Sequence, residues 1–128
     1  AAEIDGITIS LERFKIPTDQ TLIVELAGGI MVPLNDQQTN LDLIKHLNLP
    51  VILVSKNYLG SINHTILSFE ILKQHGISMA GIVFNGPENP SGEKFILNHT
   101  GLPLILRVNT ESEINEAVIA SYANKIHV

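Results

Sequence analysis

The chain has 128 residues, 13 acidic and 8 basic side chains, a formal charge of −5 and an apolar fraction of 45%. This length predicts one domain that buries about two thirds of the surface exposed by the unfolded chain. The charge argues against a nucleic-acid surface, the lack of cysteine excludes disulfides and thiolate sites, and no apolar run reaches the ~20 residues that span a bilayer. No basic-plus-apolar leader is visible, so we expect a cytoplasmic protein with no membrane partner.

The sequence predicts an N-terminal arm over residues 1–20 and an α/β domain over residues 21–128. In the arm, Asp5-Gly6 indicates a turn, and SLERFKIP indicates a short helix that Pro17 ends. From Thr21 onward, short apolar runs alternate with helical patterns, which is typical of a parallel sheet with crossover helices on both faces. The predicted strands are Leu22–Leu26, Val51–Ser55, Met79–Phe84 and Leu102–Val108.

Helices are predicted between these strands and after the last one, from capping residues and apolar spacing. The first helix is expected over TNLDLIKHL with Thr39 or Asn40 as its cap, and the second begins at its cap Ser61 and ends near Gly76. The third is expected near Glu93–His99 and stops at Gly101. The last begins with the capping box Thr110-Glu-Ser-Glu113 and runs towards Asn124.

The first candidate site follows the first predicted strand. Ligands of open α/β sheets bind beyond the carboxyl ends of the strands, and here Glu25 is followed by Gly28 and Gly29. A carboxylate at this place can bind Mg²⁺, directly or through water, while glycines let the backbone approach a phosphate. The alternative is an exposed acid beside an ordinary turn.

Two further candidates follow the second and third predicted strands. Gly60 and Ser61 lead into a helix whose free N–H groups form an anion site, with Asn63 in its first turn. The alternative there is a plain capped helix. The amide of Asn85 either binds the polar edge of a ring or simply forms the turn.

Other motifs support no catalytic prediction. The segment GPENPSGEK imitates a phosphate-binding loop, but five residues separate its glycines, no Ser or Thr follows its lysine and two prolines remove N–H donors. The five histidines show no metal-ligand spacing. No Ser-His-Asp order or nucleophile elbow is visible either, so hydrolase chemistry has no support. We predict no catalytic residue in this chain.

Two longer segments carry a resemblance to a known family: VELAGGIMVPLND and LPVILVSKNYLGSINHTILSFEILKQHGISMAGIVFNG. They resemble the C-terminal half of dethiobiotin synthetase, an ATP-dependent ligase of biotin synthesis, over nearly the whole chain. The acid-x-x-Gly-Gly-x-x-Val-Pro-Leu pattern and the Leu-Gly-x-Ile-Asn-His-Thr helix start are the most specific parts, and AAEIDG resembles a further family segment. The resemblance implies part of a doubly wound fold like that of P-loop NTPases.

The resemblance also implies a reaction and a set of roles. The family's enzymes carboxylate 7,8-diaminononanoate with CO₂, phosphorylate the carbamate from MgATP and close the ureido ring with loss of phosphate. By this resemblance Glu25 is a Mg²⁺ ligand, Gly28 and Gly29 lie beside the diamine and the phosphates, and Asn85 reads the adenine of ATP. The residues implied to bind the substrate's distant carboxylate, across a homodimer interface, are Gly60, Ser61, Ile62 and Asn63.

The sequence also departs from the family pattern. Leu26 and Leu106 stand where the family usually has Gly, and Asn109 stands where it has Pro. The family's N-terminal half, which carries the P-loop, has no counterpart here. We therefore expect a fragment that is inactive alone and that exposes a sheet edge at Leu22–Leu26, where it associates with itself or with the P-loop half. The alternatives are a split enzyme and a naturally short binding or oligomerisation module that kept the fold.

Overall fold

The computed structural model describes residues 4–17 and 19–126, and the chain divides into two compact units, Ala1–Leu49 and Pro50–Val128. The predicted boundary between an arm and a domain at residues 20 and 21 stays a prediction. The first three residues of AAEIDG and His127 lie outside the described residues. No helix of the described ranges is long and apolar enough to cross a membrane.

The first unit contains a short 3-10 turn, Leu11–Arg13, and the helix α1, Asn40–Leu47. The turn predicted at Asp5-Gly6 is confirmed, whereas the helix predicted over SLERFKIP ends at Arg13, well before Pro17. Helix α1 is confirmed with Thr39 as its N-cap.

The start of α1 is held by a side-chain contact with its cap. The N–H and the hydroxyl of Thr39 both donate to Asp42 Oδ2, at 2.8 and 3.0 Å. Leu41, Leu43 and Ile44 are buried on the inner side of the helix. Asn40, the alternative cap, is buried instead and directs its side chain elsewhere in the unit.

The strand predicted over Leu22–Leu26 is wrong, because these residues are described and form no strand. The exposed fractions of Leu22, Ile23 and Val24 are 44%, 91% and 39%. A strand needs a neighbour for its backbone N–H and C=O groups, and no strand of this unit's described residues supplies one. Apolar character alone therefore did not make this segment a strand.

The second unit is built on a parallel sheet of three strands, β1 (Val51–Lys56), β2 (Met79–Asn85) and β3 (Leu104–Val108), in the spatial order β1-β2-β3. Helix α2 (Ser61–Gln74) connects β1 to β2, and α3 (Pro90–Thr100) connects β2 to β3. The α/β fold class, with a parallel sheet and crossover helices, is confirmed, but α2 and α3 do not lie on both faces as predicted, because both pack on Ile82 and Phe84.

Both crossover helices pack on the same face of this sheet. Ile82 and Phe84 of β2 and Ile96 of α3 are fully buried, and they form the core with partly buried residues of α2 and β1. Because side chains alternate along a strand, Ile52 and Val54 of β1 lie on the opposite face, where they are 52% and 61% exposed.

Glycine and asparagine decide where the crossover helices begin. Gly60, not Ser61, is the N-cap of α2, and its φ of +94° favours glycine. Helix α3 begins before the predicted Glu93, because Asn89 Oδ1 accepts the Gly92 N–H at 3.2 Å and Pro90 suits the first helical position. Its predicted end at Gly101 is confirmed.

The capping box predicted at Thr110–Glu113 is wrong. The last helix, α4, spans Glu116–Ala123, and its N-cap is Asn115, whose Oδ1 accepts the Val118 N–H at 3.1 Å. Glu111 instead accepts a hydrogen bond from the Tyr122 hydroxyl.

Candidate functional site

The carboxyl ends of β1 and β2 open into one groove in the second unit. Lys56, the last residue of β1, pairs in register with Asn85, the last residue of β2. The N–H of Asn57 donates to the Asn85 carbonyl at 3.1 Å, so the loops after the two strands start side by side. The groove is lined by residues 57–63 together with Ile66, Pro87, Glu88, Asn89 and Phe95.

The first turn of α2 presents free N–H groups to this groove. The first N–H groups of any α-helix have no acceptor within the helix. At α2 the Ser61 N–H donates to the Tyr58 carbonyl at 3.0 Å. Among the hydrogen bonds of the described residues, none involves the N–H groups of Ile62 or Asn63. Together with the positive end of the helix dipole, these two groups suit an anion.

An apolar wall lies beside this helix start. Ile62, Ile66 and Phe95 line the groove, and Phe95 is 52% exposed. At the rim, the Tyr58 hydroxyl and His64 Nδ1 are 2.6 Å apart, which fixes the two rings against each other. The groove therefore combines an apolar surface with an anion-binding end.

Asn85 stands at the neighbouring strand end with a free side chain. Asn85 is exposed, and its side-chain amide makes no hydrogen bond among those of the described residues. Its backbone carbonyl is occupied by Asn57, as described above. The side chain is thus available to a ligand, and the predicted contact with adenine stays a prediction.

The strand ends are tied together by three side chains, Asn57, Glu93 and Arg107, which we call the strand-end hub. Glu93 Oε1 accepts from Asn57 Nδ2 and lies 3.3 Å from Arg107 Nη2. The Asn57 amide also donates to the Pro87 carbonyl at 2.9 Å, and both terminal nitrogens of Arg107 donate to the Gly86 carbonyl at 3.1 Å. The hub therefore joins the ends of all three strands to the loop that forms one wall of the groove.

The loop after β3 extends this hub. Arg107 Nη1 donates to Asn109 Oδ1 at 2.9 Å, and the Asn109 N–H donates to the Tyr122 hydroxyl at 3.0 Å. The hydroxyl in turn donates to Glu111, and this bond to a carboxylate raises the pKa of Tyr122 above its ordinary value. Asn109 thus makes two bonds that a proline could not make.

The hub was missed by sequence reasoning. In the sequence, Glu93 serves only as the start of a predicted helix, and Arg107 has no predicted role. The available signal was a basic residue inside the apolar run LILRV, because a charge in a half-buried strand requires a partner. Which acid supplies that partner could not be read from sequence spacing.

In the first unit, Gly28 and Gly29 form a turn held by a buried side chain. Asn40 Nδ2 donates to the carbonyls of Ala27 and Gly29, both at 2.9 Å. Gly28 has a φ of +76°, and a Cβ there would lie 3.0 Å from Val32 Cγ2. Both observations explain why glycine occupies this position.

Glu25 is an exposed carboxylate that no hydrogen bond of the described residues engages. Residues 4–17 and 19–126 contain no group of three or more His, Cys, Asp or Glu side chains that could hold a metal ion. Mg²⁺ commonly uses only one or two protein carboxylates, with phosphates and water supplying the other ligands. A lone, unengaged Glu25 fits that pattern.

The predicted site residues are therefore distributed in a simple way. Gly60, Ser61, Ile62 and Asn63 line one groove, and Asn85 ends the strand next to it. Glu25, Gly28 and Gly29 belong to the first unit. Their assigned roles stay predictions.

A family model described as an AAA domain matches residues 1–118. The chain belongs to this AAA-domain family. It is similar to the ATP-dependent dethiobiotin synthetase BioD of Cytophaga hutchinsonii, with 46% identity over 128 residues, which are 98% of this chain and 62% of the relative. The relative with the same name from Christiangramia forsetii is 47% identical over 126 residues, which cover 98% of this chain and 60% of the relative.

A third relative of that name, from Chlamydia abortus, is 40% identical over 97% of this chain and 60% of its own length. The resemblance to dethiobiotin synthetase is thereby confirmed along nearly the whole chain. The chain spans about 60% of the length of these curated relatives.

Proposed function

We propose that this chain is part of an ATP- and Mg²⁺-dependent ligase that converts 7,8-diaminononanoate and CO₂ to dethiobiotin in biotin biosynthesis. Relatives named ATP-dependent dethiobiotin synthetase, which are 46% and 47% identical to this chain, support the proposal. In this reaction a carbamate of the diamine is phosphorylated from ATP, and closure of the ureido ring releases phosphate. Catalysis then consists mainly of positioning and of neutralising charge around the transferred phosphoryl group.

The observation that carries the proposal is the pairing of two free N–H groups with an apolar wall. The N–H groups of Ile62 and Asn63 suit a carboxylate, and the wall of Ile66 and Phe95 suits an aliphatic chain. Each methylene group that such a wall buries contributes about 0.8 kcal/mol. Diaminononanoate has both parts, an aliphatic chain and a carboxylate distant from its two amines.

The remaining predicted residues take their roles within the same proposal. Glu25 would supply a carboxylate oxygen to Mg²⁺, which when bound neutralises charge on phosphate oxygens. The turn at Gly28 and Gly29 would let the backbone approach the diamine and the phosphates. The free amide of Asn85 would read the adenine of ATP.

We further propose a cytoplasmic homodimer in which the groove of one protomer receives the carboxylate of substrate held in its neighbour's active site. The 128 residues include no P-loop to hold the β- and γ-phosphates. The chain alone is therefore inactive, and it functions together with a P-loop half. Dethiobiotin formation by the purified 128-residue chain would contradict this part of the proposal.

The test uses the full polypeptide that carries this chain, assayed for dethiobiotin with diaminononanoate, bicarbonate and MgATP. We expect Phe95→Ala to raise the KM for the diamine about tenfold with little change in kcat, because the lost apolar contact of the groove wall binds ground state and transition state alike. Asn98→Ala is the matched control, since Asn98 is exposed on α3 outside the groove. A polypeptide that forms no dethiobiotin would overturn the proposal.

A second candidate function is a non-catalytic binding or oligomerisation module that kept the fold. Asn109 favours it, because this residue stands where the family has Pro and bonds within its own chain to Tyr122 and Arg107. Calorimetry with MgATP separates the two candidates. A polypeptide that assembles normally but binds neither MgATP nor the diamine would support the module.

A further inference from the structure

The strand-end hub contains an ion pair that is largely removed from water. The side chains of Glu93 and Arg107 are 13% and 19% exposed. Glu93 also accepts from the Asn89 N–H at 3.3 Å, in addition to its bond from Asn57. Oε1 of Glu93 thus contacts three residues from different places: Asn57 after β1, Asn89 in the groove loop and Arg107 in β3.

The hub holds only one wall of the groove directly. Asn57, Pro87 and Asn89 line the groove and are each bonded to Glu93 or to the Asn57 amide. The Gly86 carbonyl is bonded to Arg107, while the Gly86 N–H donates to the Val108 carbonyl at 3.0 Å. Without the guanidinium, the loop of residues 86–89 would keep that backbone bond to β3 but lose the contacts of the Gly86 carbonyl and of Glu93 with Arg107.

Arginine suits this place better than lysine because of its shape. Nη1 and Nη2 both reach the Gly86 carbonyl, Nη1 also reaches the Val108 carbonyl and Asn109, and Nη2 faces Glu93. A planar guanidinium can serve several acceptors at once, whereas an ammonium group acts as a single compact charge.

We propose that Arg107 is a positioning residue, which acts through Glu93 and the Gly86 carbonyl to hold residues 86–89 and Asn57 in the arrangement that binds ligand in the groove. The identity of the ligand, an aliphatic carboxylate, rests on the proposed function. The positioning itself is a property of the free protein and is tested without ligand.

The first experiment measures amide hydrogen exchange by NMR in the full polypeptide that carries this chain. In Arg107→Gln we expect exchange about tenfold faster at the N–H groups of Gly86 and Asn57, because their loops open locally when the hub is broken. The N–H of Ile82, bonded to the Pro103 carbonyl in the sheet, serves as the internal reference and should change less.

Two further variants sharpen this measurement. Arg107→Lys should show an intermediate rise in the exchange rate, since lysine keeps the positive charge but lacks the planar guanidinium that serves several acceptors. Lys94→Gln also removes one positive charge, from an exposed position next to Glu93 in sequence, and should leave exchange unchanged. Unchanged exchange at Gly86 and Asn57 in Arg107→Gln, or an equal rise at Ile82, would overturn the proposal. Should Arg107→Gln fail to fold, Arg107→Lys and Glu93→Gln answer the same question.

The second experiment titrates octanoate, an aliphatic carboxylate, while following the N–H signals of Ile62 and Asn63. Arg107→Gln should weaken octanoate binding about fivefold, and Lys94→Gln should leave it unchanged, because misplacing one wall of a site lowers affinity without removing a contact. A purely stabilising role would lower the midpoint of unfolding and leave the affinity of the folded protein unchanged, which would overturn the proposal. If the unaltered protein binds no octanoate at these signals, the carboxylate assignment fails, while the exchange result still decides the positioning role.

Discussion

Two glycine-containing turns carry or border the predicted site, and they are held by different chemistry. The turn at Gly28 and Gly29 is held by Asn40, a neutral side chain that is 1% exposed and donates to two carbonyls. The loop of residues 86–89 is held by the ion pair of Glu93 and Arg107, each partly exposed. One turn thus depends on a single buried amide, and the other depends on two opposite charges.

The difference has an energetic consequence. The amide of Asn40 can be removed without leaving a charge behind, and its Oδ1 has no partner among the described residues even now. Removing one member of this ion pair leaves the other member largely buried and uncompensated. The charged hub should therefore be more sensitive to a single substitution, and it should recover when both partners are replaced.

The largest effect is expected for Arg107→Met. It leaves the Glu93 carboxylate without a cation and the Gly86 carbonyl without its side-chain donor, and should lower the free energy of unfolding by about 2–3 kcal/mol. Denaturant unfolding measures this change. The double variant Glu93→Gln with Arg107→Met should lose less than Arg107→Met alone, and a double variant that is less stable than the single one would contradict the account of the hub.

A smaller loss is expected for Asn40→Ala. Two hydrogen bonds to the carbonyls of Ala27 and Gly29 disappear, but water can reach this exposed turn, so we expect the free energy of unfolding to fall by about 1.5 kcal/mol. Lys45→Ala, an exposed change in the same helix, is the control. If Asn40→Ala destabilised the protein more than Arg107→Met, the neutral amide, and not the ion pair, would be the more sensitive of the two to a single substitution.

A third prediction concerns the cap that fixes the start of α1, where Asn40 lies. The N–H and hydroxyl of Thr39 bond to Asp42 and hold the pKa of that carboxyl below its ordinary value of 3.8. A lowered pKa in the folded state stabilises the protein at pH above 3.8, and this stabilisation is lost as the pH falls through the lowered pKa. Asp42→Ala should cost about 0.5–1 kcal/mol at neutral pH.

Thermal unfolding of the unaltered protein and of Asp42→Ala, followed from neutral to acidic pH, checks this prediction. The difference between them should shrink in acid. Asp36→Ala, which removes an exposed acid from the loop before α1, should behave like the unaltered protein at every pH. A difference that persisted unchanged in acid would show that the cap does not depend on the charge of Asp42.

The smallest effect is expected at the far end of the hub. The Glu111 carboxylate accepts from the Tyr122 hydroxyl and raises the pKa of that phenol, so Glu111→Gln should move the pKa of Tyr122 down towards its ordinary value. The chain has only two tyrosines, so Tyr58→Phe leaves Tyr122 as the only tyrosine among these 128 residues. Titration of the ring signals of Tyr122 by NMR then follows this phenol directly, with Glu113→Gln as the control that should cause no shift.

The sequence predicted most of the second unit because its signals are local. β1, β2 and β3 were identified from short apolar runs, and α2 and α3 from apolar spacing and from glycines beyond their ends. Such signals act within a few residues, through backbone conformation and the alternation of side chains. Gly60, Ser61 and Asn63 were likewise predicted from a glycine that precedes a helix, and the family resemblance added Ile62.

The two errors have different causes. Leu22–Leu26 has the composition of a strand but lacks a neighbouring strand among the described residues, whereas the predicted box at Thr110–Glu113 is replaced by a later cap, Asn115, whose Oδ1 accepts the Val118 N–H. In both cases the deciding partner lies outside the pattern that suggested the element.

By itself the sequence determined the fold class, the positions of the crossover helices, the family resemblance and the residues at the start of α2. Only the tertiary structure decided that Asn40 holds the turn at Gly28 and Gly29, and that Asn57, Glu93 and Arg107 meet at the strand ends. The physical reason is that a buried polar group must find partners in space. Those partners come from different elements, so spacing along the chain does not specify them.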